Sequence, residues 1–286
     1  MSWIKSRRIQ FLAGSMVLFL LLFVVLRAIF FFGFSEVGKS IHPDLSTLLK
    51  TLYIGFKFDL RLAILLTLPL CIMAYLPRIN LVTSEKMRYV ARVYLALAVF
   101  AVLAFYIFDF GHYAYLGVRL NSTVLRFSDD VAISLAMVWQ SYPVMWILLA
   151  WILTTLVFMW LVLVLERRTL QRPGDEIKGH QVALGVFIVL VFVVGGLLGR
   201  FTNNLNNPVP LRWNHAFFSG DATVSALGVN PILFFYDTFE MREEPFDLEQ
   251  VRKYYPAMVE YLGVENADPE TLVIDRIIGP QPHRLD

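Results

Sequence analysis

Five long stretches of this 286-residue chain nearly exclude charge, while Lys and Arg crowd into alternate gaps between them. The hydrocarbon core of a bilayer is about 30 Å thick, and about 20 consecutive apolar residues cross it as a helix. The stretches from Pro143 to Leu165 and from Gln181 to Gly199 meet that requirement without interruption. The other three carry charge near one end. Phe11 to Phe34 contains Arg27, Leu62 to Leu76 follows Lys57, Asp59 and Arg61, and Val93 to Phe108 lies between Arg92 and Asp109. Charges at a helix end can snorkel to the interface, so five spans are expected.

Composition agrees with a membrane protein: 57% of residues are hydrophobic and 17% charged, with 24 Phe and 6 Trp, far from an ordinary soluble domain. The formal charge of +2 then says less about partners than the placement of the charges does, and nothing in the pattern points to nucleic acid. Cys71 is the single cysteine, so an intrachain disulfide or thiolate metal cluster is excluded. The apolar run after Lys5, Arg7 and Arg8 is longer than a signal-peptide core and lacks a small-residue cleavage site; it reads as a retained helix.

Three basic groups fall on one side if the helices alternate: Lys5, Arg7 and Arg8; Arg78, Lys86, Arg88 and Arg92; and Arg167, Arg168, Arg172 and Lys178. Basic loops stay in the cytoplasm. The expected location is therefore a bacterial cytoplasmic (inner) membrane with the N-terminus in. An odd number of spans puts the C-terminus out.

Three regions are expected: an all-α five-helix transmembrane domain over 1–200, an outer interfacial segment over 201–240, and an extracytoplasmic linker over 241–286. The exit from the fifth stretch is rich in Asn and Pro, from Asn203 to Pro210, which signals irregular backbone. Ser225 to Glu240 has two readings, an amphipathic helix lying on the outer leaflet beside Trp213 or part of a lipid-substrate groove. From Asp237 to Asp286 there are twelve acidic residues against five Lys and Arg. Asp247 to Tyr255 reads as a short helix capped by Asp247, and Thr271 to Ile278 as a strand-like patch.

Lys57 and Arg61 are four apart, so a helix puts them on one face with Asp59 nearly opposite. Two cations on one face can hold a lipid phosphate, because a guanidinium forks onto its oxygens. Arg119 and Arg212 share the expected outer placement and complete the candidate lipid-phosphate set of Lys57, Arg61, Arg119 and Arg212. Asp59 and Asn121 are candidate organisers of that surface. The competing reading is structural, with Asp59 pairing to Arg27 or Arg119 to fasten helices together.

None of the five histidines stands at ligand spacing from another His, Cys or carboxylate, so no metal or cofactor is expected in this chain. Gly195, Gly196 and Gly199 suit close helix packing rather than chemistry. The centres of the five stretches lack ionisable residues, which weighs against an ion-coupled transporter.

The order of these features resembles the membrane half of the lipoteichoic acid synthase-like (LTA synthase-like) family. The resemblance rests on Phe58-Asp59-Leu60-Arg61 opening the second stretch, Arg119-Leu120-Asn121 after the third, and Ala226-Leu227-Gly228-Val229-Asn230-Pro231 after the fifth. It implies a phosphoglycerol or phosphoethanolamine transferase of the alkaline phosphatase and sulfatase superfamily. In such enzymes an outer α/β domain carries a Thr nucleophile and a divalent metal, often manganese, and takes its head group from phosphatidylglycerol or a similar lipid. No residue here matches that nucleophile or those metal ligands, so no catalytic residue is assigned. The chain is expected to anchor such a domain, missing here through truncation, a split gene or domain loss, and to present lipid to it. A free-standing structural or regulatory protein, binding a partner through its acidic tail, is the alternative.

Overall fold

The computed structural model describes residues 6–35, 42–75, 81–125, 139–171, 211–240, 248–264 and 267–274. Four long helices dominate: α1 (Arg7–Gly33), α2 (Leu45–Tyr75), α3 (Glu85–Leu116) and α4 (Val144–Thr169). All four are long and apolar enough to cross a membrane. A helix closes its backbone hydrogen bonds within itself, the requirement lipid imposes on a spanning segment. The fifth apolar stretch, Gln181 to Gly199, and the Asn/Pro-rich exit up to Pro210 lie outside the described residues.

Successive helices run in opposite directions. Near its start α1 meets the end of α4, where Gly14 faces the Leu165 side chain. Tyr94, early in α3, donates its hydroxyl to the Leu66 carbonyl, late in α2, at 2.7 Å. That carbonyl lies three residues before Pro69, where the missing proline N–H and the ring loosen the helical ladder. Trp151 of α4 stacks on Phe100 of α3 with ring centres 4.1 Å apart and donates its indole N–H to the Phe100 carbonyl.

Phe19, Phe23, Phe58, Leu95 and Val162 fill the interior, with the Phe19 and Phe158 rings 5.1 Å apart. Leu21, Leu97, Leu153 and Trp160 point outward and stay exposed. So much exposed apolar surface is what lipid covers.

Two of these helices extend well past the stretches expected to span. α2 begins at Leu45, seventeen residues before Leu62, so Lys57, Asp59 and Arg61 sit midway along a 31-residue helix. α3 runs on to Leu116 and takes Asp109 inside. The charges were expected to mark helix mouths. They lie inside helices because partners on neighbouring elements receive them.

The chain divides into two compact units, Met1–Glu240 and Met241–Asp286. The first includes a 3₁₀ turn at Trp213–Phe217 and two short helices, α5 (Ala222–Gly228) and α6 (Pro231–Glu240). Asp221 caps α5 by accepting from the Thr223 and Val224 amides at 2.8 and 3.0 Å. Asn230 starts α6 by accepting from the Ile232 and Leu233 amides, and Pro231 follows at the position where a missing N–H costs nothing. The single amphipathic helix expected over Ser225 to Glu240 is therefore two helices. Residues 224–231 are buried without a break, so this part packs into the bundle and does not lie flat on a leaflet.

In the second unit, α7 (Leu248–Leu262) is longer than the short helix expected, and its expected cap, Asp247, lies outside the described residues. The Tyr255 hydroxyl accepts from the Asp268 amide at 3.0 Å and donates to the Val273 carbonyl at 2.5 Å. The strand-like patch expected from Thr271 contributes one isolated bridge, Asp268 to Val273, among the described residues.

Candidate functional site

Like any helix, α5 leaves its last carbonyls without intrahelical partners, and two arginines from outside it reach carbonyls at this end. Arg27 of α1 donates through Nη1 to the carbonyls of Leu227 and Val229. The same guanidinium forks onto Asp59 of α2, with Nε 3.1 Å from Oδ2 and Nη2 2.8 Å from Oδ1, and reaches the Gly55 carbonyl at 3.1 Å. Asn230 completes the cluster by donating to Asp59 Oδ1 at 2.9 Å and to the Tyr106 hydroxyl at 3.1 Å. Asp59 is 1% exposed. A carboxylate so buried stays ionised only if it is paired and hydrogen-bonded throughout.

Gly55 has a steric part in this arrangement. A Cβ there would lie 2.5 Å from Arg27 Nη1 and 2.6 Å from its Cζ, so only glycine leaves room for the guanidinium against the α2 backbone.

A second buried pair lies beside the first. Arg119, in the loop after α3, pairs with Asp109, donates Nε to the Ala226 carbonyl at 3.0 Å, and stacks its guanidinium over the Phe30 ring at 3.8 Å. The other oxygen of Asp109 accepts from the Leu120 amide at 2.9 Å, which turns the chain back onto the helix. Two arginines and two aspartates make a charge-balanced cluster. It fastens α1, α2, α3 and the 222–230 segment to one another, and its chemistry is that of a latch.

The candidates from sequence separate into two groups. Arg119 belongs to the latch: it is 4% exposed and its donors face protein groups. Asn121 does not touch it. Its side chain accepts from the Thr123 amide and hydroxyl at 3.0 and 2.5 Å and so caps the short turn that follows. Next to it, Ser122 is tied to Thr238 of α6 by two hydrogen bonds. Asp59 pairs with Arg27, one of the two partners the structural reading names for it.

Lys57 and Arg61 share one face of α2, and Arg61 reaches the backbone beside Arg212. Lys50, Lys57 and Arg61 recur on one face of α2 at spacings of seven and four, which a 3.6-residue helix superimposes. Arg61 donates to the Leu211 carbonyl at 2.7 Å, immediately before Arg212, and the Lys50 ammonium sits 4.0 Å from the Phe218 ring centre. Lys57 lies between them and is itself buried, at 5% exposed, its ammonium 5.4 Å from the Tyr53 ring centre. Arg212 is exposed beside the 3₁₀ turn. The result is a cationic face running under residues 211–218.

An open, apolar groove of about 450 Å³ between α1 and α2 is lined by Val24, Phe31, Leu48 and Phe56 and reaches Arg27 and Asp59. Leu48, Leu52, Phe56 and Asp59 occupy the α2 face opposite Lys50, Lys57 and Arg61. Groove and cationic face are thus separate features.

Arg27, Tyr106, Asp109 and Asn230 were not singled out as one cluster from sequence. Arg27 inside an apolar run and Asn230 beside Pro231 are visible in sequence; their convergence from four elements is not. No family model, no curated protein sequence and no solved structure matches the chain.

Proposed function

We propose that this chain is the membrane part of an LTA synthase-like transferase system, anchoring a sulfatase-like catalytic domain and presenting a phospholipid head group to it. The chain crosses a bacterial cytoplasmic membrane five times in this reading, with the N-terminus in and the linker out. Lys57, Arg61 and Arg212 receive the phosphate. Arg119 and Asp59 hold the platform that carries them. Manganese and the nucleophile belong to the catalytic domain. The donor is phosphatidylglycerol or a similar anionic lipid.

The observation that carries this reading is the Lys50–Lys57–Arg61 face of α2, drawn against Leu211 by the Arg61 bond so that Arg212 adjoins it. Cations gathered on one face of an apolar helix suit phosphate oxygens, and an Arg with two Lys combines a fork with point charges. The test is binding of labelled phosphatidylglycerol to purified protein in nanodiscs. Joint replacement of Lys57 and Arg61 by Gln is expected to weaken it at least tenfold while the fold persists. Unchanged binding would remove the lipid-presenting role. Head-group transfer upon adding a sulfatase-like partner and manganese, absent without either, would test the anchoring role separately.

A further inference from the structure

The groove between α1 and α2 has apolar walls and a polar floor whose hydrogen bonds are already made. On the α1 side it is lined by Val24, Ala28 and Phe32, and on the α2 side by Leu52 and Phe56. Val24, Phe32, Leu52 and Phe56 all remain exposed. On α2, Leu45 and Leu49 are exposed too and fall in the same arc of the helix as Leu52 and Phe56. On α1 the wall passes into exposed Val25 and Ile29. The groove therefore opens onto the continuous apolar surface that lipid covers.

Its floor is Arg27 and Asp59. Arg27 spends Nε and Nη2 on Asp59, Nη2 also on the Gly55 carbonyl, and Nη1 on the Leu227 carbonyl. Asp59 takes a further hydrogen bond from Asn230. The protein thus supplies the partners of both groups, and an occupant has no polar role to fill there. A polar occupant would desolvate its own groups against apolar walls, and ordered water needs two to four polar partners. A helix is also too bulky. At about 10–12 Å across and about 5.4 Å per turn, little more than one turn of it would take up the 450 Å³ of the groove.

We propose that the groove seats one hydrocarbon chain of a bilayer lipid, from the leaflet at the Gly33 end of α1, held by the chain and not by the head group. The chain lies along the Arg27–Asp59 pair and keeps water from it, so the pair stays in a low dielectric where its hydrogen bonds are strong. The site is separate from the Lys57–Arg61 face and does not rest on the function proposed for that face.

The experiment is native mass spectrometry of the full chain released from nanodiscs of phosphatidylcholine, with and without added diacylglycerol. Wild type is compared with A28F and L52W, which fill the groove from opposite walls, and with L97W, which adds bulk at an exposed position on α3. Wild type is expected to retain one phosphatidylcholine, and to retain diacylglycerol within twofold as well, because diacylglycerol has the chains without the phosphate. Retention of either lipid should fall at least fivefold in A28F and in L52W and stay within twofold of wild type in L97W. Phosphatidylcholine retained without diacylglycerol would overturn the proposal in favour of a head-group site. Equal losses in L97W would overturn it in favour of loosely held surrounding lipid. A second copy of the chain retained in place of lipid would overturn it in favour of a dimer contact. The comparison of the two lipids in wild type needs no substitution, and L52W tests the groove even if A28F, next to Arg27, fails to insert.

Discussion

Arg27 shows how one residue can decide whether a polar cluster is tolerable inside an apolar bundle. Its guanidinium serves Asp59, the Gly55 carbonyl and the end of α5 at once, so removing it strands a buried carboxylate as well as several carbonyls. Breaking a buried pair from one side costs about 3–5 kcal/mol, whereas replacing both partners by apolar groups costs much less. Arg27→Gln and Asp59→Asn should each lower the unfolding midpoint strongly in a denaturant titration, and Arg27→Met with Asp59→Leu should recover part of the loss. If the double variant is as unstable as the sum of the singles, the pair is not the coupled unit described. Gly55→Ala should act on the same cluster without touching a charge, because the added methyl displaces the Arg27 guanidinium. Asp44, at the mouth of α2, gives a pH-dependent readout. Hydrogen bonds from the Ser46 and Thr47 side chains, then from the Thr47 amide, pull its carboxyl from the usual 3.8 down to about 2. A depressed pKa stabilises the folded state above the unfolded value, and that contribution is lost as pH falls from about 4 toward 2. Carboxyl-carbon NMR should place the Asp44 midpoint near 2, and Asp44→Asn, which keeps the cap, should lose this pH dependence of stability.

At the scale of elements, the apolar runs made α1, α3 and α4 legible, since a long run with no charge in lipid has a helix as its stable form. The start of α2 was hidden because hydropathy treats Lys57, Asp59 and Arg61 as a boundary. A charge with a partner on another helix is cheap to bury, and that partner cannot be seen along the chain. The same reasoning explains the 211–240 segment. Its aromatics read as a surface helix, but Asn230 and Pro231 divide it, and the carbonyls of Ala226, Leu227 and Val229 turn inward to arginines on other elements. Asn230 is the joint: it caps α6, reaches Asp59 and reaches Tyr106 while fully buried. Asn230→Ala removes one donor to a charged group and the cap of α6, for which a loss of about 2–4 kcal/mol is expected from the two terms together. Asp221→Ala, which removes only the cap of α5, should cost about 1 kcal/mol. Equal losses for the two would mean that Asn230 acts as a cap alone. The cationic face was half legible: the spacing of Lys57 and Arg61 gave their shared face, but its continuation to Lys50 and Leu211 required the helix to begin at Leu45.

For the whole molecule, four alternating helices return the chain after α4 to the end from which α1 began. The placement of everything beyond it depends on the stretch from Gln181 to Gly199. The latch, with α5, lies toward the Gly33 end of α1, so in the proposed topology a crossing by that stretch delivers the chain to the end it must reach. The geometry of the described residues supplies that requirement independently of the basic-residue pattern: Arg27 lies six residues before the end of α1 and holds Leu227 and Val229, so residues 227–229 sit at the end of the bundle opposite Arg8. The fifth crossing proposed above would carry the chain from the Arg8 end to that end. A reporter fused after Asp286 should then be active only on the side opposite a reporter fused before Ser2. Replacing Gln181–Gly199 by a polar linker of equal length should dissociate residues 222–230 from the latch, read as loss of protease protection around Leu227. Reporters active on the same side in the intact chain would require those residues to reach the latch without a fifth crossing.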